Sequence, residues 1–187
     1  MGSDGIREKD GRKLSILYQT STNSVRQASQ ALIKQWWNEL GVEVELRSVD
    51  GSVFFGGDPG SPDTFQKFYA DVQMYANEFD GTDPEKYLGE WTCDNFPSPE
   101  TQWQGSNISR WCDPSYDELR AKLSQTAGIE ERGKIAIEMN DKIVNSPAFI
   151  GLVHRGRMSA ASKALGGVKI NPWDSELWNA ADWYRVK

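Results

Sequence analysis

Asp80, Asp83 and Glu85 put three carboxylates into the short run Phe79-Asp-Gly-Thr-Asp-Pro-Glu85. Carboxylates in pairs can act as acid and base across a glycosidic bond, and a single one can hold an ammonium group through a charge-assisted hydrogen bond. The paired reading needs a second acid placed across a cleft, and neighbours within one acidic loop do not supply it. His154 is the sole histidine, and the serines are spread without a motif that would pair one with it, so the sequence signals neither a Ser-His-Asp triad nor a histidine-based metal site. Gly56-Gly-Asp-Pro-Gly60 is glycine-rich but lacks the Lys-Ser/Thr pair of a phosphate-binding loop. Asp83 stands directly before Pro84, the position of a helix cap. Asp80 stands in an Asp-Gly step, which suits an Asx turn. Tyr75 and Asn77 end the segment that feeds this loop. Asn107 and Trp111 lie on a second loop further along. Together these residue types suit the holding of a small polar ligand better than the breaking of a bond.

Two cysteines, Cys93 and Cys112, bracket a stretch rich in Pro, Ser, Gln and Gly. Their spacing fits neither a redox CxxC pair nor a zinc site, which needs more ligands. A disulfide across the loop would contribute about 3 kcal/mol in the chain-entropy account and would imply an oxidising compartment. Two buried thiols are the other reading.

The elements that must position these residues follow from periodicity. Leu14, Ile16 and Tyr18 alternate as in a strand. Thr22 or Asn23 caps a helix in which Val25, Ala28, Leu32, Ile33, Trp36 and Leu40 mark one face, and Gly41 closes it. Val42, Val44 and Leu46 alternate again, giving a right-handed, parallel βαβ unit. A short helix is expected over Thr64–Ala70, a third strand over Val72–Tyr75, and a short helix from Asp83-Pro84 to Leu88. Asp113 caps a stronger helix with Tyr116, Leu119 and Leu123 on its apolar stripe. Ile135, Met139 and Ile143 define the next helix, over Ile129–Ser146, before Pro147. Phe149–Val153 reads as a buried strand and Val168–Ile170 as a short one. Trp173, Trp178, Trp183 and Tyr184 follow among acidic residues. The fold class is α/β, with a mixed sheet flanked by helices.

With 38% hydrophobic and 26% charged residues, the 187-residue chain can bury a core. Its net charge of −6, with basic residues scattered, excludes nucleic acid as an expected partner. No apolar run approaches the roughly 20 residues that span a bilayer. Met1-Gly-Ser-Asp4 leads straight into charged residues, which reads as a start inside a longer polypeptide and not as a signal peptide.

The order of these elements, with Asn107-Ile-Ser-Arg-Trp-Cys-Asp-Pro-Ser-Tyr-Asp-Glu-Leu119 following the Asp-Gly-Thr-Asp-Pro loop, resembles the peptide-binding group of bacterial ABC-importer solute-binding proteins. These are the dipeptide- and oligopeptide-binding receptors of solute-binding protein family 5. Asp4–Gly11 ahead of a strand, the helix end Trp36–Val42 and the run Phe149–Arg155 carry the likeness further. The resemblance implies a periplasmic-binding-protein type II-like lobe: residues 1–154 as the second lobe of a two-lobed protein, and 155–187 as a tail returning to the first. It implies an extracytoplasmic substrate-binding component, periplasmic or at the cell surface, that binds in the interlobe cleft without catalysis or cofactor. Its implied partners are a peptide or other small polar solute, permease subunits in the membrane, and the first lobe. By spacing from Asp83-Pro84, Asp80 matches the aspartate that pairs with a ligand α-amino group. Asn77 stands where the family often has an aromatic residue, so part of the stacking wall is altered. Cys93 and Cys112 match the family disulfide. A sugar, a nickel chelate or an opine is compatible with the same family, and a tryptophan-based carbohydrate-binding module or a small hydrolase is the reading from outside it.

Overall fold

The computed structural model describes residues 2–79, 81–156, 158–171 and 174–186, and the chain divides into two compact units. One unit comprises Met1–Asn77 and Cys93–Cys112, the other Glu78–Thr92 and Asp113–Lys187.

In the first unit, β1 (Glu8–Lys9) and β2 (Arg12–Lys13) form an antiparallel ribbon. There follow β3 (Ser15–Ser21), α1 (Ser24–Glu39), β4 (Glu43–Val49), α2 (Gly51–Phe54) and β5 (Val72–Gln73). The sheet order is β4-β3-β5 and both pairings are parallel, as the βαβ pattern predicts. Antiparallel pairing is confined to the separate ribbons. β3 is the central strand, and its last four residues are buried on both faces, so the alternation read from Leu14 to Tyr18 does not continue through it. β5 is shorter than expected. Polar side chains extend what its ladder lacks: Thr20 Oγ1 donates to Met74 O at 2.6 Å, Gln19 Nε2 donates to Gln73 Oε1 at 3.2 Å, and the Asp71 carboxylate accepts from Leu17 N at 2.7 Å.

Asn23 is the cap of α1, its side-chain oxygen accepting from Val25 N and Arg26 N at 3.1 Å each. Asn23→Ala is expected to lower stability by about 1 kcal/mol, read as a shift in the denaturation midpoint. Gly41 ends the helix region at φ 81°, and a Cβ there would also lie 2.9 Å from Gly5 O, so two constraints demand glycine. The face that α1 presents to the sheet differs from the apolar stripe in the sequence. Gln30 is buried and donates to Tyr18 O at 2.8 Å, and Trp37 packs on Tyr18 with ring centroids 5.6 Å apart. Val25, Leu32, Trp36 and Leu40 are more than half exposed. One amide bond to a strand carbonyl and one indole thus set the helix rotation, overriding the count of apolar positions.

No helix forms over Thr64–Ala70. The segment is a series of turns in which Phe65 N donates to Phe54 O, Lys67 N donates to Thr64 O and Phe68 adopts φ 46°. A left-handed residue cannot propagate a right-handed helix.

The second unit holds α3 (Glu85–Leu88) running into a 3-10 turn at Gly89–Trp91, then α4 (Pro114–Gln125) and α5 (Ile129–Val144). Leu88, Trp91, Tyr116, Leu123, Ile135 and Met139 are its buried apolar residues. Asp113 caps α4 through Ser115 N at 2.9 Å and also takes Lys142 Nζ at 3.0 Å. Those bonds, led by the Ser115 hydroxyl, hold its carboxyl below the usual aspartate range. Arg132 on α5 donates to both Asp83 oxygens, to Glu85, and to the carbonyls of Leu123 and Thr126.

Two strand expectations fail here. Phe149–Val153 does not form a strand, and Ile150, Leu152 and Val153 are exposed: the segment joins no described sheet ladder, and Phe149 N–H turns back to Ser146 O at 3.4 Å. Phe149 packs its ring edge-on against Trp91 at 4.6 Å. Pairing near the C-terminus occurs between β6 (Leu165–Gly166) and β7 (Tyr184–Arg185), not at Val168–Ile170. Trp173 lies outside the described residues. No helix among the described residues is long and apolar enough to cross a membrane.

Candidate ligand-binding site

Three parallel strands leave their carboxyl ends on one edge, and in open α/β sheets that edge is where ligands bind. Here it collects the end of β3 with the N-terminus of α1, the end of β4 with α2, and the exit of β5 into Met74–Asn77. The polar end of β3 is fully committed beneath it: Gln19, Thr20 and Ser21 are all buried.

Tyr75 is half-buried at this edge and Asn77 is exposed. Tyr75 joins an aromatic cluster that follows the two outer strands, with Phe65 at 5.3 Å from Tyr75, Phe55 at 5.4 Å from Phe65, and Phe54 edge-on to Phe55 at 4.9 Å. Phe54 is buried and roots the cluster, whereas Phe55 is 43% exposed and faces water. Arg26, in the first turn of α1, donates from one guanidinium nitrogen to Ser21 Oγ at 2.5 Å and lies over the Phe55 ring at 5.2 Å. The edge therefore brings together the Arg26 guanidinium, the buried hydroxyls of Thr20 and Ser21, and an aromatic wall. Sequence reading missed Arg26, Phe55 and Phe65. Their signal was present, since all follow the carboxyl ends of predicted strands, but residue type did not distinguish them from ordinary core and surface.

The second loop folds differently from its expected role. Cys93 and Cys112 form a disulfide with Cα atoms 4.6 Å apart, as the resemblance implies. Inside it Asn107 is buried, its Nδ2 donating to Trp111 O at 2.7 Å, its Oδ1 accepting from Ser109 Oγ at 3.1 Å and its backbone N–H donating to Asn95 O at 2.9 Å. The Asn107 amide is thus part of the hydrogen bonding that holds the loop's shape. Trp111 is half-buried, with its carbonyl in that same network. Arg110 staples the loop to Gln66 O and Lys67 O at 3.2 Å each, and Trp103 covers the buried Lys67 ammonium at 4.1 Å. Trp91 belongs to the second unit's core. Asp80 lies outside the described residues. Asp83 accepts from Glu85 N at 3.0 Å; this bond, reinforced by Arg132, keeps its carboxyl below the usual range. Among the described residues no group of three His, Cys, Asp or Glu is placed to hold a metal ion.

No family model matches the chain. Among curated proteins it is similar to a dipeptide-binding protein of Pseudomonas aeruginosa, 23% identical over 146 residues, covering 76% of this chain and 24% of that protein. It is also similar to the oligopeptide-binding protein AppA of Bacillus subtilis, 24% identical over 185 residues, covering 98% of this chain and 32% of that protein. The chain thus spans about a quarter to a third of the length of these relatives. Among solved structures it superposes on NikZ from Campylobacter jejuni in complex with Ni(L-His), with a TM-score of 0.71 and 19% identity over 98% of this chain and 36% of that one. The dipeptide-binding protein of Pseudoalteromonas sp. SM9913 in complex with Met-Leu gives a TM-score of 0.69 and 18% identity, over 92% of this chain and 32% of that one. The fold is the α/β, type II periplasmic-binding-protein fold that these structures share.

Proposed function

We propose that this chain is the ligand-binding second lobe of the substrate-binding component of an ABC-type peptide importer, acting outside the cytoplasm and without catalysis. Support comes first from the sheet edge, which gathers groups that bind and orient rather than a nucleophile with a base. Sequence similarity to dipeptide- and oligopeptide-binding proteins, running over most of the chain, supports the peptide as ligand. In this reading residues 1–154 form the lobe, residues 155–187 return to a first lobe, and permease subunits receive the closed complex. Tyr75, Asn77 and Trp111 line the ligand's side of the lobe, and Asp80 anchors an α-amino group. Ligand drives closure only through tighter binding to the closed form than to the open one. One lobe makes only part of those contacts. Calorimetric titration of the 187-residue chain with Met-Leu is therefore expected to give no micromolar affinity. A chimera carrying residues 1–154 as second lobe of the Bacillus subtilis relative is expected to bind peptide tightly. Tight binding by the chain alone, or a correctly folded chimera that takes no peptide, overturns the reading.

A further inference from the structure

The apolar stripe of α1 is a sequence feature that neither the core nor the ligand-binding edge absorbs. Gln30 and Trp37 turn inward, and Val25, Leu32, Trp36 and Leu40 are left more than half exposed. Their spacing places them in one row that runs the length of the helix. Roughly 400 Å² of apolar side chain lies in this row, a patch large enough on a monomer to mark an interaction surface.

The row is self-complementary when two copies of α1 meet antiparallel. In the register centred on Leu32, Val25 meets Leu40 of the second copy and Trp36 meets its Ser29. Ser29 is small enough to receive an indole, and its hydroxyl already donates to Val25 O at 2.9 Å, so it brings no unpaired polar group into the contact. Charge favours the same orientation. α1 has no acidic residue in its first turn and no basic residue in its last, and the exposed Glu39 stands in that last turn, where it opposes the helix dipole. Antiparallel pairing sets Glu39 of each copy beside the positive end of the other helix. A parallel pair would hold both carboxylates together at the negative ends.

We propose that this face of α1 is a reversible two-fold dimerisation surface for a second copy of the chain. With the polar margin of the row included, two copies cover about 1,000 Å², the size of a weak specific interface, so dissociation falls in the micromolar range. The inference does not depend on the nature of the ligand.

The test is sedimentation velocity of the 187-residue chain, from low micromolar to submillimolar concentration. The expected result is a monomer–dimer equilibrium. Leu32→Glu puts two like charges at the axis and is expected to weaken the dimer about tenfold or more. Ile129→Glu, at a more exposed apolar position on α5, is expected to leave it unchanged. Circular dichroism and thermal unfolding at low concentration certify that both variants fold. Register is read by thiol cross-linking, because the native cysteines are bonded to each other. A chain carrying Val25→Cys is expected to bridge to one carrying Leu40→Cys and not to a second Val25→Cys chain. A monomer at every concentration, a dimer indifferent to Leu32→Glu, or one weakened equally by Ile129→Glu overturns the inference, as does preferred bridging of Val25→Cys to itself. A chain that stays monomeric yet binds the separately produced remainder of the Bacillus subtilis relative, in a manner lost on Leu32→Glu, gives the face to that remainder and likewise overturns the inference.

Discussion

Tyr116→Ala is expected to destabilise the second unit by about 4 kcal/mol, the range for truncating a large aromatic in a packed core. Tyr116 is wholly buried, and its hydroxyl donates to Leu88 O at 2.6 Å. That bond ties the first turn of α4 to the end of α3, so one side chain supplies both apolar volume and the partner of a helix-end carbonyl. Tyr116→Phe separates the two contributions: it keeps the ring, leaves the carbonyl without this donor, and is expected to cost only about 1 kcal/mol. The pH dependence carries a further signature. Burial raises the folded-state pKa of Tyr116 above its ordinary value near 10, and burial raises Tyr18 and Tyr87 in the same direction. A raised folded-state value means the contribution is fully present below pH 10 and is lost as pH rises through the folded value. Stability is therefore expected to fall above about pH 10. Tyr116→Phe flattens that fall, and both effects can be followed by chemical denaturation at several alkaline pH values. A Tyr116→Phe variant with the same alkaline profile as the parent would refute the assignment.

Breaking the disulfide, by reduction or by Cys93→Ser with Cys112→Ser, is expected to cost about 3 kcal/mol, from the loop entropy of a bridge at this sequence separation. The loss is expected in the first unit, which holds both sulfurs and the whole excursion between them. Cys93 and Cys112 stand where the chain enters and leaves that unit, so the bridge clasps the base of the excursion. Within it Gly105, at φ 150°, passes so close to the 95–97 backbone that a Cβ would meet Asn95 O at 2.7 Å. Such a loop has little regular pairing to restore it once opened. Hydrogen exchange at Asn107 and Arg110, which donate to Asn95 O and Asn107 O, is expected to accelerate most. Mass spectrometry without reductant should give the mass of one bridge, and two freely alkylated cysteines would contradict it.

Where local chemistry dictates local geometry, residue types alone carried the answer. Asn23 and Asp113 could cap because a short polar side chain reaches the next backbone N–H groups. Gly41 could end α1 because the left-handed turn admits it, and strand–helix–strand spacing imposed parallel pairing. The Asp-Pro steps began helices for the same kind of reason. Failures came where a segment's state depends on a distant partner. Phe149–Val153 has the composition of a strand, but a strand exists only with a neighbour for its backbone groups. Thr64–Ala70 has helix-compatible residues, yet its N–H groups turn to Phe54 and Thr64.

For the ligand-binding edge the division is the same. Sequence determined that the chain is an α/β unit in which Tyr75 ends a strand and Asn77 follows it, because periodicity acts along the chain; the Cys93–Cys112 bridge came only from the resemblance. Only tertiary structure decided that Asn107 is a loop brace and that α1 turns Gln30 and Trp37 inward. It alone brought Arg26 over Phe55 beside the strip leading to Tyr75. Those outcomes rest on hydrogen bonds and ring contacts between residues far apart in sequence, where no local pattern distinguishes a partner from a bystander.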